Sequence, residues 1–227
     1  LTNPNITTDF SESQVELITE VHPSINDCIE ELAEIQTFVS DNLKEELLWP
    51  FSMPCHIRKD DSIPIAQYGS TNLAKAKTIY RRGLSNRYGS AMQTISGIHY
   101  NFSLSDACWK ELGYVNQVSR TRGYFDLIRN FRRWSWLLVY LFGASPTIPK
   151  QLVQHSELAN LSFLDDESLY MSHATSLRMG PMGYQSTAQN NLAISYNSLE
   201  DYLEGMTLAL SQTHSEYQQV GLKQNSI

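Results

Sequence analysis

The chain has few cysteines and no apolar run long enough to cross a bilayer. Its three cysteines, Cys28, Cys55 and Cys108, are widely spaced without a C-x-x-C pair, which indicates reduced thiols and argues against a disulfide framework or a zinc site. The longest mainly apolar segment covers residues 134–142, whereas a membrane-spanning helix needs about 20 residues. The first residues lack a basic region followed by an apolar run, so we expect no secretory signal. We therefore expect a cytoplasmic protein with no membrane partner.

Basic charge and familiar cofactor motifs are also scarce. The 17 lysines and arginines are outnumbered by 24 aspartates and glutamates, which gives a formal net charge of −7. Because phosphate binding depends on a basic surface, this balance argues against a nucleic-acid partner. The arginines between residues 120 and 133 are spread around a predicted helix, and we expect them to pair with acidic residues. No G-x-x-x-x-G-K-[ST], G-x-G-x-x-G, H-E-x-x-H or G-x-S-x-G motif occurs, so these nucleotide, zinc and serine-hydrolase signatures are missing.

The sequence does have the composition of a globular protein. With 227 residues, 41% of them hydrophobic and 11% aromatic, it can form a sizeable core. Two short runs rich in Thr, Ile and Val between Ile6 and Thr19 predict strands. Apolar residues at helical spacing, preceded by Ser or Thr caps, predict five helices. These helices cover residues 24–42, 71–84, 105–112 and 120–142 and a last stretch that begins at Ser198.

The most informative stretch is Ala91–Leu104, which we predict to be a strand. Because strand side chains alternate between two faces, Gln93, Gly97, His99 and Asn101 would share one face. This face has amides and an imidazole but no formal charge, which indicates a ligand-binding wall. The missing side chain at Gly97 would let a ligand or another backbone come close. The alternative is a central strand whose polar side chains are satisfied by neighbouring residues.

Further candidate site residues are two acids and two pairs of arginine and tyrosine. Asp9 and Glu16 lie in the predicted strands, where an inward carboxylate would need a cation, although exposed strand acids are the alternative. Arg81 follows Tyr80 on a predicted helix, and Arg178 precedes Tyr184 in a loop with glycines and a proline. A solvated basic helix face is the alternative for most of the basic residues. Because Mg²⁺ takes oxygen ligands and guanidiniums bind phosphoryl oxygens, this combination suggests phosphoryl transfer from a nucleotide without a P-loop.

Six blocks of sequence are specific enough to compare with known families. They are residues 49–55, 66–70, 86–89, 92–104 (MQTISGIHYNFSL), 140–146 and 174–178. In this order they resemble the proteobacterial type of glutamate–cysteine ligase, and the resemblance is collinear from Ile6 to about Tyr217. It implies an α+β fold of the glutamine synthetase-like ligase superfamily, in which a curved antiparallel sheet is backed by helices.

The resemblance also implies an activity and its site residues. ATP would phosphorylate the γ-carboxylate of glutamate, and the amine of cysteine would attack the acyl phosphate, which is the first step of glutathione synthesis. Mg²⁺, or Mn²⁺ in its place, would be bound with the ATP co-substrate. By resemblance the metal ligands are Asp9, Glu16 and His99, the charge-stabilising groups are Arg81 and Arg178, the cysteine-pocket tyrosines are Tyr80 and Tyr184, and the glutamate contacts are Gln93 and Asn101.

The sequence departs from the family in what it lacks. The family's Gly-Leu-Glu-Arg-Glu metal-binding strand and a further metal-binding Glu with a nucleotide-binding Arg do not occur here. We therefore expect residues 1–227 to be a single catalytic-domain fragment of a longer ligase, with little or no turnover alone. The sequence indicates no oligomeric state. The alternatives are another ATP-dependent carboxylate–amine ligase of the same fold, a non-catalytic binding module and a metal-dependent hydrolase.

Overall fold

The structure, a computed structural model, describes residues 3–54, 57, 62–153, 160–179 and 194–211. The chain divides into two compact units, Leu1–Ser96 (unit 1) and Gly97–Ser226 (unit 2), where Ile227 is grouped with unit 1. Within the described residues, no helix has both the length and the apolar composition that crossing a membrane requires.

Unit 1 begins with the predicted strands. Strands β1 (Ile6–Thr8) and β2 (Val15–Leu17) pair antiparallel, with Thr7 opposite Glu16. The pairing continues into the connecting loop, because the Asp9 N–H donates to the Gln14 carbonyl oxygen at 2.9 Å. Phe10 in this loop is almost fully buried and forms part of the core. The two sequence runs therefore form one β-hairpin.

Two long helices complete most of unit 1. Helix α1 (Ile25–Asn42) begins after Ser24, as predicted, although the Ser24 side chain makes no capping hydrogen bond. Helix α2 (Asn72–Tyr88) is capped by Thr71, whose hydroxyl oxygen accepts from the Ala74 N–H at 3.2 Å. It extends beyond the predicted end at Leu84, and Gly89 then adopts a left-handed φ of 81° that a glycine tolerates without strain. The chain can therefore reverse direction directly after the helix.

The predicted strand at Ala91–Leu104 is wrong. Ser90–Gln93 forms a short helix, α3, and the described residues 94–104 contain no strand. A strand needs a neighbouring strand to satisfy its backbone N–H and C=O groups, and the described residues supply none to this segment. Gln93 is buried at the end of α3, whereas His99 and Asn101 are exposed, so the predicted polar face does not form.

Unit 2 contains the two predicted central helices. Helix α4 (Asp106–Glu111) is capped by Ser105, and helix α5 (Gln117–Phe142) begins with a capping box at Asn116. A small aromatic core joins the two helices, since the Trp109 ring lies 5.4 Å from that of Tyr114 and 4.6 Å from that of Tyr124, centroid to centroid. This core positions the first half of α5 against α4.

Two of the five arginines of α5 pair with acids, as predicted, and a third contacts an aromatic ring. Arg120 pairs with Asp106 at 2.8 Å, and Arg129 forms an ion pair with Asp126. The guanidinium of Arg132 lies 4.7 Å from the centre of the Tyr196 ring. Because these groups are engaged by acids and an aromatic ring, they do not form a free basic stripe.

The remaining elements of unit 2 are short. Strands β3 (Thr147–Pro149), β4 (Ser162–Phe163) and β5 (Ser168–Tyr170) form an antiparallel sheet in the order β3-β5-β4, with buried Ile148 opposite buried Leu169. Residues 150–152 form a 3₁₀ turn. Helix α6 (Leu199–Ser211) is capped by Ser198, as predicted. The α+β class is confirmed, and the described strands form two small antiparallel sheets.

A glycine in the aromatic core should not tolerate a side chain. A methyl group on Gly123 would lie 2.7 Å from Cζ3 of Trp109 and 3.1 Å from Cδ1 of Tyr114. We expect Gly123→Ala to lower the free energy of unfolding by about 1–3 kcal/mol through overpacking. The control is Gly83→Ala in α2, where nothing lies within 4 Å and the change should stabilise the helix by up to about 1 kcal/mol. Urea unfolding measures the free energy of unfolding of both variants. Equal changes of the same sign in the two variants would contradict the tight packing at Gly123.

Glu31 links α1 to the end of the hairpin. Its carboxylate lies 2.6 Å from Nε2 of His22 and accepts from the Glu20 N–H at 2.8 Å. The hydrogen bond with His22, more than that with Glu20, lowers the pKa of Glu31 below its ordinary value of 4.5. A carboxyl group with a lowered pKa stabilises the fold above that ordinary value and loses this contribution as the pH falls through the lowered one.

We therefore expect the stability advantage of the native chain over Glu31→Gln to be present at neutral pH and to shrink below pH 4.5. The matched control is Glu30→Gln, which removes a neighbouring exposed carboxylate without these bonds. Urea unfolding midpoints between about pH 3 and pH 7 measure both differences. A difference for Glu31→Gln that does not change with pH would contradict the proposed bond.

Candidate functional site

The two predicted metal-binding carboxylates both belong to the hairpin of unit 1. Glu16 is opposite Thr7 on strand β2. Asp9 directly follows strand β1, and its N–H donates to the Gln14 carbonyl oxygen. Asp9 is exposed and Glu16 is half-buried, and among the described residues neither carboxylate has a hydrogen bond or ion pair. Both carboxylates are therefore available to a cation.

The Arg81 side chain is bonded to the backbone of this hairpin. Its Nε donates to the Asp9 carbonyl oxygen, and its guanidinium lies 4.6 Å from the centre of the Tyr68 ring. The Tyr68 hydroxyl donates to the carbonyl oxygens of Thr8 at 2.7 Å and Asp9 at 3.0 Å. Helix α2 thus places a guanidinium against the backbone of Asp9, one of the two predicted metal-binding residues.

Tyr68 and Lys77 also belong to the cluster around Arg81, although the sequence analysis did not select them as candidates. The Nζ of Lys77 lies 5.1 Å from the centre of the Tyr68 ring, so the ring contacts two cations. Lys77 and Arg81 are four residues apart on one helix face, and this spacing is the signal that could have indicated a shared partner. Tyr80, by contrast, is 47% exposed and lies outside this cluster.

Gln93, the predicted glutamate contact in unit 1, is a core residue. It is only 4% exposed, and its carbonyl oxygen accepts from Nε2 of Gln14 at 3.2 Å. Gln14 also donates to the Ser96 hydroxyl at 3.2 Å. These bonds connect α3 to the hairpin. Gln93 therefore has a structural role in the core, in addition to the predicted role as a glutamate contact.

In unit 2 the predicted residues His99, Asn101 and Arg178 have different environments. His99 and Asn101 are exposed, and Arg178 is half-buried. The Arg178 guanidinium lies directly over Gly97: a methyl group at Gly97 would be 2.6 Å from Nη1, 2.7 Å from Cζ and 2.8 Å from Nη2. A close approach at Gly97 therefore occurs, but its partner is a side chain and not the ligand or backbone that was predicted. Tyr184 lies outside the described residues.

The backbone that precedes Arg178 is fixed to the end of α5. The Leu177 N–H donates to the Ser145 carbonyl oxygen at 2.7 Å, and the Ser145 N–H donates to the Thr175 carbonyl oxygen at 3.2 Å. Gly143 permits this approach, because a methyl group there would lie 2.7 Å from the Thr175 carbonyl oxygen. Gly143 caps the end of α5 with a φ of −61°, which is outside the left-handed region. Close backbone contact, and not turn geometry, favours glycine at this position.

The donor atoms present suit a hard divalent cation. Carboxylate oxygens are the ligands that Mg²⁺ prefers, and Mn²⁺ accepts the same set together with imidazole. Among the described residues, however, no three His, Cys, Asp or Glu side chains come together to hold a metal ion. The types of ligand atom therefore suit Mg²⁺ or Mn²⁺. A full coordination shell needs further donor atoms.

Comparison with known proteins assigns the family. A family model described as glutamate–cysteine ligase matches residues 1–227. The chain belongs to the glutamate–cysteine ligase family. The family member from Alcanivorax borkumensis is 48% identical over 98% of this chain, and the one from Pseudomonas aeruginosa is 44% identical over 99%. The crystal structure of glutamate–cysteine ligase from Francisella tularensis in complex with AMP matches with a TM-score of 0.89 and 43% identity over 99% of this chain.

The matched region is less than half of each of these family members. The chain covers 43% of the Alcanivorax protein, 44% of the Pseudomonas protein and 44% of the Francisella chain. The predicted family is therefore confirmed, and the described residues correspond to part of the length of its members.

The Tyr68 hydroxyl should stabilise the site of unit 1. Tyr68→Phe removes its bonds to the Thr8 and Asp9 carbonyl oxygens and keeps the ring that Lys77 and Arg81 contact. Because a typical net hydrogen bond contributes about 0.5–1.5 kcal/mol, we expect a loss of stability of that size in urea unfolding. Tyr80→Phe is the matched control and should leave the stability unchanged, since the described residues give its hydroxyl no hydrogen bond. Equal effects of the two changes would contradict the assigned bonds.

Proposed function

We propose that these residues form part of the catalytic domain of an ATP-dependent glutamate–cysteine ligase. The γ-carboxylate of glutamate attacks the γ-phosphorus of ATP, which releases ADP and forms an acyl phosphate. The amine of cysteine then attacks the acyl carbon, which releases inorganic phosphate and a proton and leaves γ-glutamylcysteine. This product begins glutathione synthesis. The observation that carries the proposal is the match of 99% of this chain to a Francisella glutamate–cysteine ligase whose crystal structure contains AMP.

The two fixed guanidiniums support phosphoryl transfer as the reaction type. Arg81 is held by the Asp9 carbonyl and the Tyr68 ring, and Arg178 lies over Gly97. Transferring a phosphoryl group requires positive groups that are already positioned where charge develops, because reorienting them during the reaction would cost free energy. We assign both arginines to this role.

The other roles follow from the family resemblance. Asp9 and Glu16 of unit 1 and His99 of unit 2 are the proposed ligands of Mg²⁺ or Mn²⁺, together with donors from further residues. When bound, the metal neutralises charge on the ATP phosphates. Tyr80 and Tyr184 are the proposed contacts for cysteine, and Gln93 and Asn101 those for glutamate.

Uncovered apolar side chains support the proposal that further residues complete the enzyme. Ile98, Tyr100 and Phe102 are 93%, 67% and 62% exposed, although apolar residues usually occupy a core. The second half of α5 is similar. Its exposed apolar residues are Phe131, Trp134, Trp136, Leu137, Leu138, Tyr140, Leu141 and Phe142. An apolar surface of this extent marks a site of contact with other residues, and we infer that the rest of the ligase covers it.

Substrate chemistry also favours a reducing compartment. Cysteine must keep its thiol reduced to be incorporated as such, and Cys28 and Cys108 are free thiols in the structure. We therefore propose a cytoplasmic location.

The deciding experiment compares ADP release by the 227-residue chain with ADP release by the complete polypeptide encoded by its reading frame. We expect the complete polypeptide to release ADP in a manner that depends on glutamate, cysteine and Mg²⁺. We expect the 227-residue chain to show no cysteine-dependent turnover, because part of the metal shell is supplied elsewhere. Robust cysteine-dependent turnover by the short chain would contradict this expectation.

The same assay separates the alternative functions. A panel of amine acceptors identifies another carboxylate–amine ligase, which would prefer an amine other than cysteine. Phosphate release without any amine identifies a hydrolase. Binding of Mg²⁺ and nucleotide without turnover by the complete polypeptide identifies a non-catalytic module.

A further inference from the structure

We propose that Gly97 is a positioning residue for Arg178, and that its lack of a side chain fixes the guanidinium for phosphoryl transfer. This inference rests on the proposed ligase function. Three observations carry it, namely how the guanidinium faces Gly97, what else surrounds Gly97, and how the opposite end of Arg178 is held.

The guanidinium presents its flat face to Gly97. A methyl group built on Gly97 would be nearly equidistant from Nη1, Cζ and Nη2 of Arg178, at 2.6, 2.7 and 2.8 Å. In a planar group, nearly equal distances to these three atoms arise only above the plane, because an approach along the edge would place Cζ distinctly farther away. The face of the guanidinium is therefore covered by the backbone at Gly97, and its N–H groups point within the plane.

Arg178 is the nearest neighbour of Gly97. The three atoms nearest to the hypothetical methyl group all belong to this one side chain. Gly97 is also not in the left-handed region, since its φ is outside the range that disfavours side chains. An alanine at this position would therefore displace the guanidinium without straining the backbone.

The main-chain end of Arg178 is held independently. Leu177 and Thr175 are hydrogen-bonded to Ser145, and the Thr175 hydroxyl donates to the Val139 carbonyl oxygen at 2.8 Å. The side chain thus extends from a segment fixed on α5 to a backbone surface at Gly97. With both ends constrained, the guanidinium loses little freedom when charge develops beside it.

The position of Gly97 gives the contact a functional consequence. His99 and Asn101, the proposed metal ligand and glutamate contact of unit 2, follow Gly97 by two and four residues. The contact therefore joins the proposed charge-stabilising arginine to the segment that carries these two groups. A displaced Arg178 would lose its alignment without any change in its own chemistry.

The test uses the complete polypeptide with four variants: Gly97→Ala, Arg178→Ala, the double variant of the two, and Gly83→Ala as the glycine control in open space. We expect Gly97→Ala to lower kcat by about 10–100-fold, because misplacing a group by about 1 Å can cost a factor of this size. The KM for cysteine and the unfolding midpoint should change little. Gly83→Ala should keep the native kcat.

The double variant decides whether Gly97 acts through Arg178. If it does, Gly97→Ala should have no further effect once Arg178 is alanine, so the double variant should match Arg178→Ala. Independent, multiplying losses would overturn the proposal, as would a native kcat in Gly97→Ala. Replacing Arg178 with the slimmer lysine should likewise reduce the effect of Gly97→Ala, because a lysine side chain has no planar group to clash with the methyl.

Folding and function can fail separately, and each failure has a distinct result. If Gly97→Ala does not fold, recovery of folding in the double variant supports the contact, and failure of both variants to fold overturns it. If the native complete polypeptide shows no cysteine-dependent ADP release, the proposed function fails. In that case a crystal structure of Gly97→Ala still tests the contact, because the methyl group should displace the Arg178 guanidinium, and a guanidinium in its native position would overturn the contact.

Discussion

The hydrogen bonds donated to the carbonyl oxygens of Thr8 and Asp9 are the interactions on which the arrangement of unit 1 depends. Tyr68 and Arg81 both donate to the Asp9 carbonyl, so a turn residue and a helix residue meet at one backbone atom of the hairpin. Backbone carbonyls are fixed more firmly than side-chain oxygens, because their position follows from the paired strands. The Asp9 carboxylate therefore remains available while its backbone holds the guanidinium nearby.

In unit 2 the arginine is positioned by a different kind of contact. Here the cation is Arg178, and it is positioned by the absence of side chains at Gly97 and Gly143. One glycine lets the guanidinium cover the backbone, and the other lets the Thr175 carbonyl approach the end of α5. In both units the arginine lies against backbone atoms, and in the proposed reaction such fixed groups would need little reorganisation as charge develops.

The uncovered apolar residues show where this chain depends on further contacts. Ile98, Tyr100, Phe102 and the second half of α5 alternate or recur as buried elements would, and yet they are exposed among the described residues. Burying apolar surface is the main favourable contribution to folding, so residues that cover these segments, as we propose, would stabilise them. The chain spans 43–44% of the length of its relatives, in agreement with this pattern.

Local sequence predicted the two strands of the hairpin and the helices that follow Ser24, Ser105 and Ser198, because caps and periodicity act over a few neighbouring residues. The family was indicated separately, by the resemblance of six sequence blocks to its members. Local sequence also indicated a close approach at Gly97. Only the tertiary structure decided that Gln93 is buried in α3, that residues 94–104 form no strand, and that the guanidinium of Arg178 covers Gly97. The physical reason is that alternation along a chain specifies which side chains share a face, whereas a strand or a glycine contact also needs a partner from a distant part of the sequence.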